Sequence, residues 1–100
     1  MTGDEAEQAP ELKEAVALVE TAERELHAAT SEIALREAYA RYGGSKGLIK
    51  RAVTDAIAKA QKDRKKALGL VGNSAMGRVD AAFEARLKSL AEEARARDLA

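Results

Sequence analysis

The residues able to do chemistry in this chain are few, and their types exclude most reactions. There is one histidine, His27, and no cysteine, so thiolate zinc sites, Fe–S clusters, disulfides and a Cys–His nucleophile are out of reach. His27 has no second His and no patterned acid near it to share a metal; it is expected on a helix surface, with no metal and no cofactor. The string GGSKG at 43–47 sets glycine amides and Lys46 ahead of a helix, as phosphate loops do. It lacks the preceding strand, the glycine spacing and the closing Lys-Ser/Thr pair, so it is not read as a nucleotide site. Tyr39 and Tyr42 are able to stack on nucleobases, although their spacing on a helix fits packing with a wet hydroxyl better. Nothing here assembles an acid/base or nucleophilic set, so the chain is read as non-enzymatic, with no small-molecule substrate.

What remains is charge. The formal net charge is zero, which taken alone argues against a nucleic-acid or membrane-surface partner. That zero is a cancellation between segments. Residues 1–45 carry ten acids against four bases, a net of −6, and residues 46–66 carry eight bases against Asp55 and Asp63, a net of +6. The remainder balances five against five. The basic residues are Lys46, Lys50, Arg51, Lys59, Lys62, Arg64, Lys65 and Lys66. One use for them is a polyphosphate-facing patch, where each neutralised phosphate releases counterions. The other is internal pairing, with the acidic N-terminal helix lying along the basic segment in the same molecule or in a dimer partner.

The elements that carry these charges are helical. Ala, Leu, Glu, Lys and Arg dominate, and aromatic residues make up only 3%, a profile of long helices rather than strands. One hundred residues suit a single domain. No apolar run approaches the length of a membrane span, and the acidic N-terminus is unlike a signal or transit peptide. A soluble, cytoplasmic protein with no membrane partner is expected.

Residues 1–9 are expected to fray, and Pro10 suits the first turn of a helix. Leu12, Val16, Val19, Leu26 and Ile33 recur at helical spacing as one apolar stripe. Thr30 and Ser31 interrupt it, predicting helices over about 10–29 and 31–41. RYGGSKG at 41–47 is the clearest break: its paired glycines permit positive φ, and Ser45 is a candidate N-cap for a helix over 46–60. AKAQKDRK fits either a hairpin tip at Gln61 to Asp63 or a continuous helix, and a turn is placed there. The last helix, about 64–97, is the longest, at roughly 50 Å from about 1.5 Å per residue. This length favours an elongated antiparallel hairpin over a globule. Gly69, Gly72 and Gly77 each cost about 1 kcal/mol in a helix interior, so each calls for close helix approach or a bend, and Ser74 is placed to cap a restart.

ARYGGSKGLIKRAV, with DRKKALGLVGNSAMGRVDAAFEARLKSL further on, resembles the N-terminal helical arm of the phenylalanyl-tRNA synthetase alpha subunit. The matching positions are Arg41, Tyr42, Gly44, Lys46, Gly47 and Leu48, then Arg64, Gly69 and Asn73. They continue through Phe83, Glu84, Ala85, Arg86 and Leu90, so that the resemblance covers roughly 30 to 97. Gly43 and Ser45 depart from the apolar residue and lysine usual in that element, and the proline common near the hairpin tip is absent. The class II catalytic domain lies outside these residues, and the chain is expected to be the arm standing alone. The resemblance implies an antiparallel coiled-coil hairpin, preceded here by an additional N-terminal helix, that contacts the elbow and body of a tRNA.

On that basis the eight basic residues are expected to face phosphates of tRNA or another structured RNA, with Arg41, Tyr42, Gly44 and Gly47 supporting the turn. Contact would be to phosphates and shape, because an A-form major groove excludes side chains. A full synthetase is a second implied partner. The rival expectation is a protein-interaction or homo-oligomerisation module with no RNA role. A two-helix hairpin buries only a stripe, and its remaining Leu, Val and Ile would then be covered by a homodimer or four-helix bundle.

Overall fold

The structure is a computed structural model, and it describes residues 9–99. Four α-helices carry the chain: α1 (Lys13–Ala28), α2 (Glu32–Tyr42), α3 (Leu48–Lys59) and α4 (Lys65–Leu99). Two 3-10 turns, Pro10–Leu12 and Lys62–Arg64, lead into α1 and α4. No strand occurs among the described residues. The protein is all-α and elongated, measuring 58 × 25 × 17 Å.

Cross-helix pairs fix the topology. From the 3-10 turn at Lys62–Arg64 along α4, positions 64, 78 and 86 meet positions 11, 23 and 29 in that order, so α1 runs parallel to α4. Position 39 meets 80 and 83 while 53 meets 72, so α2 and α3 together run antiparallel to α4. The middle leg of a three-pass bundle is thus one helix broken in two. Its halves form the antiparallel hairpin with α4, and α1 is laid along both legs.

The core follows from the apolar spacing. Leu12, Val19, Leu26, Leu35, Ile49, Leu68 and Val79 are all but fully buried, with Val16 and Val53 beside them. Ile33 breaks the stripe predicted for it and is 73% exposed. Ala29 and Ser31 adopt extended backbone, and the Ser31 hydroxyl accepts from the Ala34 amide at 3.1 Å as the N-cap of α2. A cap restarts the helix in a new phase, and α2 buries Leu35, Ala38 and Tyr42 instead.

The break at 41–47 also differs in detail from its prediction. Gly43 closes α2, its amide donating to the Tyr39 carbonyl, and only Gly44 takes positive φ, at 73°. The N-cap of α3 is Gly47 rather than Ser45, and no side chain caps it. A Cβ at Gly47 would collide with the carbonyls of Tyr42 and Gly43, so the tight return of the chain needs glycine there. Lys46 therefore lies in the turn, one residue short of the cap. At the tip, α3 ends at Lys59 and the chain turns through Ala60 and Gln61 in extended backbone.

Helix α4 runs unbroken through Gly69, Gly72 and Gly77, and Ser74 caps nothing. Of the three, only Gly72 meets a neighbour: a Cβ there would stand 2.6 Å from Val53 Cγ1, where α3 crosses α4. Around Gly69 and Gly77 nothing lies within 4 Å. The frayed segment expected over 1–9 falls outside the described residues except for Ala9, which is wholly buried.

Two kinds of glycine substitution should therefore separate. Gly69→Ala and Gly77→Ala are each expected to raise stability by up to about 1 kcal/mol. Gly72→Ala is expected to lower it, because the β-branched, buried Val53 cannot swing away. Urea unfolding followed by circular dichroism checks both signs.

Candidate nucleic-acid interface

The basic segment is distributed over the turn, α3 and the tip. Lys46 lies in the turn, Lys50, Arg51 and Lys59 on α3, Lys62 and Arg64 in the 3-10 turn, and Lys65 and Lys66 in the first turn of α4. All except Arg64 are exposed, and none of those seven forms an ion pair with another described residue. On α3 the inward positions are Ile49 and Val53, which leaves Lys50, Arg51 and Lys59 on the outer side. Asp55 shares that outer side, one helical turn from both Arg51 and Lys59.

Arg64 is placed differently from its neighbours. Its Nε and Nη2 each donate to a carboxylate oxygen of Glu11 at 2.9 Å. This bidentate bond holds the Glu11 carboxyl down at about pKa 2, well below its ordinary range. Among the described residues, internal pairing of the acidic segment with the basic one is thus realised at the tip between Glu11 and Arg64, and the lysines around it form no ion pair with a described residue.

Arg41 and Tyr42 act on a different helix. The Arg41 guanidinium donates to Glu25 of α1 at 2.7 Å, the Tyr42 hydroxyl donates to the other oxygen of the same carboxylate, and the guanidinium sits 5.8 Å from the Tyr42 ring centre. Tyr42 is only 7% exposed. The pair anchors the end of α2 to α1 just before the chain enters the turn.

No ring is offered to a base. Tyr39 packs on Phe83 with ring centres 4.5 Å apart, and its hydroxyl donates to Asp80 at 2.6 Å. With Tyr42 buried, all three aromatic residues of the chain are engaged internally. His27 is exposed beside a shallow cleft between α1 and α4 that Glu23 and Arg86 also line. Among the described residues no group of three His, Cys, Asp or Glu is arranged to hold a metal ion. No helix of the described residues is long and apolar enough to cross a membrane.

Two contacts carry weight that sequence reasoning missed. Arg78 makes a bidentate bond to Glu23, at 2.6 and 3.3 Å, and Arg86 donates from Nε to the Ala29 carbonyl at 2.9 Å. The second satisfies the carbonyl of Ala29, the C-cap residue of α1, at the end where a helix leaves carbonyls without helical partners. Partners more than fifty residues apart leave no local signal; only the −6 imbalance of the first segment hinted that its acids were owed cations elsewhere.

A long antiparallel hairpin with a glycine-broken first leg and an exposed basic tip has the form of a helical arm. The sequence model of the aminoacyl tRNA synthetase class II, N-terminal domain matches residues 30–99. The chain belongs to that family, which includes the N-terminal helical arm of the phenylalanyl-tRNA synthetase alpha subunit. The match takes in α2, α3 and α4 and begins after α1. No curated protein and no solved structure matches the chain.

Both tyrosine hydroxyls donate to carboxylates, Tyr39 to Asp80 and Tyr42 to Glu25, and both phenols are held above their ordinary range, Tyr39 at about 12. A raised folded pKa means stability that is present below the unfolded value near 10 and lost as pH rises through the folded one. Absorbance at 295 nm should therefore show little ionisation in the folded protein near pH 10. Urea-unfolded chain should ionise there, and Tyr39→Phe should remove the step near 12.

Proposed function

We propose that this chain is a non-catalytic, cytoplasmic module that binds tRNA or another structured RNA through phosphate contacts. The supporting observation is the set of seven exposed basic side chains at the turn, α3 and the tip, without ion-pair partners among the described residues, on a member of a synthetase-arm family. Lys46, Lys50, Arg51, Lys59, Lys62, Lys65 and Lys66 face phosphates directly. Arg64 joins them where its bond to Glu11 yields. Arg41, Tyr42, Gly44 and Gly47 hold the turn that sets α3 at its angle to α2.

The chemistry favours double-helical or compact RNA over single strands. Single-strand recognition depends on bases stacking on aromatic rings, and here Tyr39, Tyr42 and Phe83 are committed to the fold. Lysine ammonium groups act as point charges on backbone phosphates. Selectivity then comes from the spacing of charge along a rigid helix. A synthetase partner bound through the same RNA is compatible with this role.

The oligomerisation alternative is less favoured because α1 covers the apolar stripe that a second copy was expected to cover. The exposed large apolar residues Ile33, Leu48 and Leu70 lie on three different helices.

Filter binding or fluorescence anisotropy with total tRNA is the direct test. If four or five phosphates are neutralised, log K should fall with log salt at a slope of about −4. The variant Lys62→Glu, Lys65→Glu, Lys66→Glu should lose at least about tenfold in affinity at low salt, with helix content unchanged by circular dichroism. Absence of binding, or binding indifferent to salt, would refute the proposal. Sedimentation showing a salt-sensitive dimer that ignores RNA would establish the alternative.

A further inference from the structure

The segment ahead of the family match sends three acids into the matched arm. Glu23 takes Arg78, Glu25 takes Arg41, and Glu11 takes Arg64. The first two lie between helices and hold them in register. Glu23 and Arg78 sit in the α1–α4 seam with their side chains 32% and 20% exposed, and Glu25 binds the Tyr42 hydroxyl as well as Arg41. Glu11 lies elsewhere, on the 3-10 turn before α1, at the end of the bundle where the lysines cluster.

Its geometry is that of an anion on a guanidinium fork. Two oxygens face Nε and Nη2 of Arg64 at the same 2.9 Å, the arrangement in which arginine takes two oxygens of a phosphate. The carboxylate is held in place by its neighbours. Ala9 and Leu12 on either side are wholly buried, and the Leu12 amide donates to the Ala9 carbonyl at 2.9 Å. Lys62 and Lys65 lie within two residues of Arg64 in the chain, with Asp63 between them, so these neighbours favour an anion of either kind. Both members of the pair remain about one-third exposed, within reach of a ligand from solvent.

We infer that Glu11 is an internal phosphate surrogate: its carboxylate occupies the Arg64 fork that an RNA phosphodiester would take, and competes with RNA for it. This rests on the RNA-binding role proposed above and adds a regulatory element to it. The competitor is built into the segment that precedes the family module and keeps the fork oriented while RNA is absent. It also lowers the affinity of the tip by the share of binding that one phosphate contact supplies. A phosphodiester displaces the carboxylate by bringing counterion release that an intramolecular acid does not provide.

The test compares the full chain with Glu11→Gln and Glu14→Gln, which remove the same charge. Glu14 is exposed one turn away and takes no ion pair with a described residue. With labelled tRNA at about 0.1 M salt, E11Q should bind about five- to eightfold tighter than the unaltered chain, the worth of one phosphate contact. Its salt slope should steepen by about 0.7 to 0.9. E14Q should gain much less, and in an Arg64→Gln background E11Q should gain no more than E14Q does. Should E11Q lose helix content, Glu11→Asp, which keeps the charge but shortens its reach, carries the same expectation with a smaller gain. Equal gains from E11Q and E14Q, or no gain from E11Q while the unaltered chain binds RNA, overturn the surrogate and leave the RNA-binding role standing. If no version binds RNA, both fall.

Discussion

Helix α4 is 35 residues long, and its buried and half-buried apolar side chains spread over a broad arc rather than a narrow stripe. Leu68, Ala75 and Val79 are buried deep in the bundle at the middle of that arc, while Val71, Phe83 and Leu87 are half-buried at its flanks. A single partner helix covers one stripe, so α4 needs cover from two directions along the same stretch. The broken leg α2–α3 supplies one and α1 the other. The sealing of α1 through Leu12, Val19 and Leu26 is the condition on which the remaining structure depends. It lets a chain with only one phenylalanine and two tyrosines bury a core of mostly aliphatic side chains within one copy.

Placing α1 there has an electrostatic consequence. An acidic segment brought against a basic arm could have neutralised it along its length, yet among the described residues the pairs between them form at three places. The apolar stripe of α1 faces inward, so its acids reach the arm only from the edges of the seam. The outer side of α3 lies beyond their reach. Burial thus decides which cations are neutralised and which remain open to solvent. Arg41 and Arg78 are used up in holding helices together, and the lysines are left over.

The number, type and order of the helices were legible from apolar spacing and from the glycine break, as was the great length of α4. What was not legible has physical causes that can be named. Ile33 kept the period of the stripe but not its phase, because the Ser31 cap resets the helix and a period carries no memory across a cap. Ser45 had the right chemistry for a cap and lost to Gly47, where only a residue without a Cβ could pass the Tyr42 and Gly43 carbonyls. Three glycines in one helix looked alike in sequence, and only the crossing of α3 distinguishes Gly72 from the others. In the candidate interface, the basic residues could be named in advance. Which of them is tied down could not, since Glu11 and Arg64 are joined only by the way three legs fold together.

That count of three legs has a mechanical result. An even number of passes returns a chain to the pole where it started; an odd number leaves its two described ends at opposite poles. Here Ala9 lies beside the basic tip and Leu99 at the far end of a 58 Å rod. Whatever is joined after α4 is held away from the tip by an α-helical strut about 52 Å long. Whatever is joined before α1 starts beside the tip itself. The fold works as an outrigger, carrying its charged end at a fixed reach from any body attached behind it.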